Sequence, residues 1–248
     1  MKQQDSLITS AILVIGDEIL SGKTKDQNIG YIADYMIELG IDLKEVRIVP
    51  DEAGMIIEAL NALRQRYDYV FTTGGIGPTH DDITAPCVAR AFGLDLKLNP
   101  QALEMLKKFI PEAEINESRL RMAMIPDGAE LIPNAVSGAP GFRVDNVYVM
   151  AGVPKIMQSM IRAIGPSLKQ GRQVHSLFID ADGFLEGDYA AGLGMIAEHY
   201  SNVSIGSYPN MTDKGFKNQI VLRGREPKEL DLVKNEIMKL LTSLPKRY

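Results

Sequence analysis

The chain has 248 residues, 45% of them hydrophobic and 24% charged, and 27 basic against 32 acidic side chains leave a net charge of −5. That is globular composition with room for one large domain or two smaller ones, and without a basic block nucleic acid is a poor partner. One cysteine, Cys87, excludes a disulfide framework and a cysteine-rich zinc site, no apolar run reaches the length of a membrane span, and residues 1–10 are too polar for a signal peptide, so a cytoplasmic location with no membrane partner is expected.

Residues 1–9 read as a frayed polar start, and residues 11–15 form a continuous apolar run ending at Gly16, the pattern of a strand buried on both faces. Residues 16–28 read as a long polar loop that carries Asp17 and Glu18. Ile29, Ile32, Ala33, Met36 and Ile37 then recur at helical spacing and stop at Gly40, which predicts a helix closed by a glycine cap. A second strand is predicted over 46–49, ending at Pro50-Asp51-Glu52. Ile56, Ile57, Leu60 and Leu63 mark a second amphipathic helix. The alternation predicts a mostly parallel sheet with helices on both faces, and in such a sheet ligands bind beyond the carboxyl ends of the strands.

The third strand, 69–73, delivers the most informative stretch, Thr73-Gly74-Gly75-Ile76-Gly77-Pro78-Thr79-His80-Asp81-Asp82. Three glycines in four positions leave backbone N–H groups open to a phosphate, and a helix predicted to start with Thr84 as its cap adds partial positive charge. No Gly-Lys-Ser/Thr follows, so this is not a P-loop, and the glycine spacing misses the dinucleotide fingerprint. Paired aspartates beside a phosphate site make sense with a hard divalent cation between carboxylate and phosphate. Asp17/Glu18, Asp51/Glu52 and Asp81/Asp82 leave three successive strands, so all three acidic pairs are expected on one rim.

Residues 100–109 read as a helix, Met122 and Met124 as core, and 132–142 as a loop of small residues before a strand at 147–150. Ser137, Gly138, Gly141, Gly152 and Lys155 would bring bare backbone, a hydroxyl and a cation to that strand end. A helix follows to Gly165, and 167–173 reads as a linker. Beyond it, strand–helix–strand–strand–helix suggests a small α+β domain without a cluster of titratable residues, in which Tyr208-Pro209-Asn210 reads as a turn. Domains are expected at 8–168 and 172–248. His175 and His199 fall in the second domain and His80 has no obvious partner, so covalent catalysis is not expected.

Four ordered motifs carry a family resemblance: Gly16-Asp17-Glu18-Ile19-Leu20-Ser21-Gly22 with Asp26 and Asn28, the 72–82 loop, 134–142, and Gly152-Val153-Pro154. On these the first domain resembles the molybdopterin-binding fold of the MogA/MoaB proteins and of the N-terminal part of CinA proteins, a three-layer αβα arrangement. The Gly-Asp-Glu-Ile-Leu and Gly-Pro-Thr-His-Asp-Asp spellings look closer to CinA, and to the related domain of eukaryotic FAD synthases, than to MogA. The second domain, including 205–209, looks like the small KH-like module of CinA proteins.

The resemblance implies two chemistries. MogA-type proteins adenylylate molybdopterin with ATP and Mg²⁺ through two aspartates, which align with Asp82 and Asp51. CinA-type domains are linked to metal-dependent hydrolysis of ADP-ribose and similar pyrophosphates. The deamidase domain of many CinA proteins is not expected in a chain ending at Tyr248. The family forms oligomers, so a homo-oligomer is expected.

The expectations are these. Asp82, Asp51 and Glu18 are catalytic, with Asp82 and Asp51 holding Mg²⁺, Mn²⁺ or Co²⁺. Thr73, Gly74, Gly75, Gly77, Thr79, Ser137, Gly138, Gly152 and Pro154 bind a nucleotide diphosphate or pterin phosphate. Water as nucleophile gives hydrolysis to AMP and a pterin phosphate gives adenylyl transfer, while a module that only binds remains the third reading.

Overall fold

The computed structural model describes residues 7–209, 211–212 and 215–246, and the chain divides between Gly171 and Arg172 into two units. The first unit opens with β1 (Thr9–Ile15), α1 (Asp17–Leu20), α2 (Asn28–Glu38), β2 (Asp42–Val49), α3 (Ala53–Arg66), β3 (Tyr69–Thr73) and α4 (Thr84–Phe92). It continues with β4 (Leu96–Leu98), α5 (Pro100–Lys107), a 3-10 turn (Glu112–Glu114), α6 (Glu117–Arg121) and β5 (Met124–Pro126). It closes with β6 (Glu130–Ile132), β7 (Gly141–Val144), β8 (Val147–Met150) and α7 (Pro154–Ile164). Six strands form one sheet in the order β2-β1-β3-β8-β7-β6. β1 pairs parallel with β2 and β3, β3 pairs parallel with β8, and only β7 runs against its neighbours.

Alternation along the central strands builds two cores. Ala11, Leu13 and Ile15 of β1 join Val70 of β3 and Val147 and Val149 of β8 against Ile56, Leu60 and Leu63 of α3 and Val88 of α4. Ile12 and Val14 join Phe71, Tyr148 and Met150 on the opposite face, against Ile32 and Met36 of α2 and Met157, Met160, Ile161 and Ile164 of α7. Because helices cover both faces, β1 has no polar alternation and reads as a continuous apolar run. α2 ends as expected: Gly40 takes φ 69°, its N–H reaches Ile37 O at 3.0 Å, and the Ile41 N–H reaches Met36 O at 2.9 Å. This is the Schellman closure that a residue without Cβ permits.

Several expectations need correction. Residues 1–6 of the expected frayed start lie outside the described residues, and the end of that stretch is ordered. Ile8 is buried in the second core, and Thr9 starts β1, where its N–H and hydroxyl both donate to Asp68 Oδ2 at 2.8 Å. The polar loop after β1 contains α1, and Asn28 is the first residue of α2. β2 is twice as long as predicted: it is an edge strand whose first half, residues 42–45, carries three charged side chains, and whose Lys44, Val46 and Ile48 are exposed. β4, β5, β6 and β7 escaped the sequence reading altogether, each being only three or four residues long. Met122 and Met124 are half-buried, and Ala123 and Ile125 fill the core in their place.

The second unit holds β9 (His175–Asp180), α8 (Glu186–His199), β10 (Ser204–Tyr208), β11 (Met211–Thr212), β12 (Gly215–Phe216), β13 (Gln219–Gly224) and α9 (Pro227–Ser243). An antiparallel sheet in the order β10-β13-β9 packs Ile179, Ile220 and Leu222 against Leu193 of α8 and Leu230, Val233 and Ile237 of α9. The expected strand–helix–strand–strand–helix order is present, with the β11/β12 pair added. Tyr208 closes β10, and Asn210 of the expected turn lies outside the described residues.

The turn that joins β7 to β8 is tied to α3 by one side chain. Asp145 takes φ 53°, and Asn146 Nδ2 donates to Arg64 O at 2.9 Å and Tyr67 O at 2.8 Å. Those carbonyls lie at the end of α3, where the helix itself supplies no further donors. Asn146→Ala should therefore destabilise the protein by about 1–3 kcal/mol, read as a lower urea midpoint at unchanged m-value.

Candidate functional site

The ends of β1, β3 and β8 meet at Gly74. A Cβ built there would lie 2.1 Å from Ile15 O, and Gly74 takes φ 104°, so the position excludes every other residue. The Gly74 N–H donates to Met150 O at 3.1 Å. A Cβ on Gly152, just past β8, would come within 3.2 Å of Gly74 Cα. Gly75 takes φ 66° and abuts Thr84, whose hydroxyl donates to Gly74 O at 3.0 Å and whose N–H donates to Gly75 O at 2.9 Å. Thr84 was expected to cap its helix. It is instead buried at the first position of α4, and its side chain locks the glycine turn. The sequence assigned the missing side chains to a bound phosphate, whereas the space each would occupy is filled by the protein itself.

The aspartates are held by the same turn. Asp82 Oδ2 accepts the Thr79 N–H at 2.8 Å and the Thr79 hydroxyl at 2.6 Å, and it stands 2.6 Å from where a Cβ on Gly77 would be. Its other carboxylate oxygen takes no hydrogen bond among the described residues. Asp51, at the end of β2, accepts the Asp17 N–H at 3.0 Å on Oδ2. Burial pushes the Asp51 carboxyl above the usual range; the Asp17 N–H opposes this, and the negative charges of Asp17, Glu18 and Asp81 reinforce it. Acids from three strand ends therefore act on one another electrostatically. No group of three or more His, Cys, Asp or Glu side chains close enough to hold a metal ion occurs among the described residues.

A cleft of about 280 Å³ opens at this rim. Glu18, Gly74, Gly75, Gly77, Asp82, Ser137 and Gly152 line it, joined by an apolar wall that includes Ile76, Met122, Val153 and Ile156. Of the other expected residues, Asp51, Thr79 and Gly138 stand outside the lining, and Thr73 and Pro154 line a smaller adjoining pocket. Thr79 acts on Asp82, and Gly138 gives room to Phe109, whose Cδ2 lies 2.4 Å from the position of an added Cβ. Lys155 is exposed in the first turn of α7 and does not line the cleft. His80 is 94% exposed, with only Asp81 nearby at 3.8 Å.

Sequence reasoning missed Asn134 as a site residue. It is buried; Nδ2 donates to Ser137 Oγ at 2.7 Å and Ala139 O at 2.9 Å, while Oδ1 accepts the N–H groups of Val136 and Ser137 at 2.9 and 3.3 Å. That fourfold use fixes the loop that carries Ser137. An Asx-type pattern of asparagine three residues before serine was the available signal.

Residues 11–170 match a family model described as "Probable molybdopterin binding domain", and residues 173–245 match "FAD synthase, middle domain". A protein named "Probable FAD synthase" from Caenorhabditis briggsae is 30% identical over 94% of this chain, which spans 49% of that relative. A "CinA-like protein" from Citrifermentans bemidjiense is 41% identical over 61% of this chain and 38% of its own length. The crystal structure of "the protein CinA with unknown function" from Thermoplasma acidophilum matches at 32% identity and a TM-score of 0.62, covering 65% of this chain and 98% of its own. No helix among the described residues is long and apolar enough to cross a membrane. With its sheet order, its glycine turn and these matches together, the chain belongs to the molybdopterin-binding-domain family and is of CinA type.

Proposed function

We propose that the first unit hydrolyses a nucleotide pyrophosphate, ADP-ribose or a related molecule such as FAD, to AMP with the help of a divalent cation. The observation that carries this reading is the cleft, where a glycine turn, a carboxylate from each of two strand ends and an apolar wall surround one space. Backbone N–H groups of the turn would hold the diphosphate, and the wall of Met122, Val153 and Ile156 offers a flat base a dry surface. The FAD-synthase names among the relatives support FAD as a substrate to test.

The donor set fits a hard cation. Asp82 keeps one carboxylate oxygen free of hydrogen bonds among the described residues and Asp51 sits where like charges crowd, an all-oxygen pair of the kind hard cations take. Mg²⁺, Mn²⁺ or Co²⁺ would be held by Asp82 and Asp51, with phosphate and water completing the shell, an arrangement that needs no three-carboxylate cage. Once bound, the ion would supply positive charge at the diphosphate oxygens. Glu18 lines the cleft and would orient a water and take its proton as the water oxygen bonds to phosphorus. The bridging P–O bond breaks, and AMP leaves with a sugar phosphate. Adenylyl transfer to a pterin phosphate is the second reading, favoured by the family match. There the pterin phosphate replaces water as nucleophile on the α-phosphorus of ATP, and pyrophosphate is the leaving group. Self-association as a homo-oligomer belongs to the same proposal.

The deciding experiment incubates the protein with ADP-ribose, FAD and CoA, and with ATP plus a pterin phosphate, under Mg²⁺, Mn²⁺, Co²⁺ or EDTA. Metal-dependent AMP release should fall about 100-fold or more in Asp82→Asn. Thr79→Val, which removes only the hydroxyl that holds Asp82, should lose about tenfold. Release that persists in Asp82→Asn sinks the assigned site, and an adenylylated pterin without AMP release moves the function to transfer.

Metal binding has its own test by thermal unfolding. Without divalent cations, Asp51→Asn should be slightly more stable than the parent, by less than ~1 kcal/mol after solvent screening, because one of the crowded charges is gone. Added Mg²⁺ should raise the melting temperature of the parent and barely move that of Asp51→Asn.

A further inference from the structure

Beside the cleft lies a second pocket of about 50 Å³ that shares Glu18 and Gly152 with it. By the same measure a single water needs about 10–15 Å³, so the space takes a few water-sized groups and no ring. Thr73 and Asn28 both line it, at 1% and 4% exposure, and Thr73 Oγ1 and Asn28 Oδ1 are buried with no hydrogen-bond partner. The rest of Asn28 is fixed: Nδ2 donates to Gly152 O at 2.8 Å, and its N–H donates to Asp26 Oδ1 at 3.0 Å. Asn28 therefore presents a bare acceptor, and Thr73 a hydroxyl free to give or accept. Glu18 and Asp26 also line the pocket, opposed by the exposed Lys25.

Of five buried side-chain polar atoms without a partner among the described residues, these two share one pocket, and such groups call for a partner. Resting on the nucleotide reading of the adjoining cleft, we infer that this pocket seats the 2′,3′-diol of a ribose whose 5′-phosphate lies on the glycine turn. Thr73 precedes Gly74 directly, so a sugar one ester bond from the phosphate reaches the pocket without crossing the cleft. One diol hydroxyl donates to Asn28 Oδ1 and the other bonds Thr73 Oγ1. The diol would give both groups the partners that the protein does not supply. A phosphate on either hydroxyl has neither the room nor, beside Glu18 and Asp26, the charge to enter.

The test is binding by calorimetry at fixed Mg²⁺, with ADP against 2′,3′-dideoxy-ADP and ribose 5-phosphate against 2-deoxyribose 5-phosphate. The parent should prefer the diol of one pair about tenfold, and the pair that shows it tells whether the adenosine ribose or a second sugar is the source. Thr73→Val should erase the preference and Thr73→Ser should keep it. Thr73→Val should also unfold at the same temperature as the parent or higher, because the lost hydroxyl had no protein partner. No preference in either pair, or a preference that survives in Thr73→Val, overturns the inference. Hydrolysis of ADP-ribose without any diol preference would leave the hydrolase reading standing and remove the pocket. A diol preference without turnover would do the reverse.

Discussion

The close approach of the Ile15 carbonyl to Gly74 is the contact on which the site depends. Neighbouring parallel strands stand about 4.8 Å apart, and a turn leaving one of them must pass the carbonyl end of the next. Here the passage is so tight that a single methyl group would fall 2.1 Å from the Ile15 oxygen. Gly152 presses on Gly74 from the β8 side, and Thr84 bonds its carbonyl from α4. The ends of three strands and the start of a helix are thus locked around one residue, and the carboxylates of Asp82 and Glu18 inherit their positions from that lock. The cleft is lined by the turns that follow β1, β3 and β8, and this lock holds those turns where they leave the sheet.

The same topology concentrates negative charge. β1, β2 and β3 are adjacent and parallel, so the acids that follow them share one rim. The protein tolerates this partly through local donors: the Asp17 N–H serves Asp51, and the Thr79 N–H and hydroxyl serve Asp82. Burial raises the Asp51 carboxyl, and the neighbouring negative charges of Asp17, Glu18 and Asp81 add to it.

How much was legible in the sequence follows from burial. β1, β3 and β8 are buried on both faces, so their apolar runs announced them, and α2, α3 and α7 showed helical spacing because one face of each meets a core. β2 was half-read because its first half is charged, and β4–β7 were unreadable because, unlike the equally short but wholly buried β8, they carry neither a period nor an unbroken apolar run. The glycine turn was legible from three glycines in four positions, but the packing contacts that demand glycine there were not. The contacts that demand glycine come from residues far along the chain or from Thr84, whose hydroxyl could equally have capped a helix. Asp82 and Glu18 in the cleft were readable from topology. Asn134 and the wall of Met122, Val153 and Ile156 were not, because nothing local separates a wall residue from a core residue.

The last two residues of β3 carry a similar lesson at finer scale. Thr72 lies between Leu13 and Val149 in the sheet register, and Thr73 between Val14 and Met150. All four neighbours are apolar, and valine would fill either position with the same branched shape. A strand selected for packing alone would carry valine there, because each buried hydroxyl without a partner costs about 1–3 kcal/mol. The hydroxyls occur where the strand reaches the rim and not one turn of the sheet earlier, at Val70 and Phe71, where the core is uniformly apolar. Position along the strand, rather than chemistry of the core, thus decides where polar groups are kept. Thr73 adjoins a pocket large enough to satisfy it, which makes an outside partner the simplest physical account of its presence.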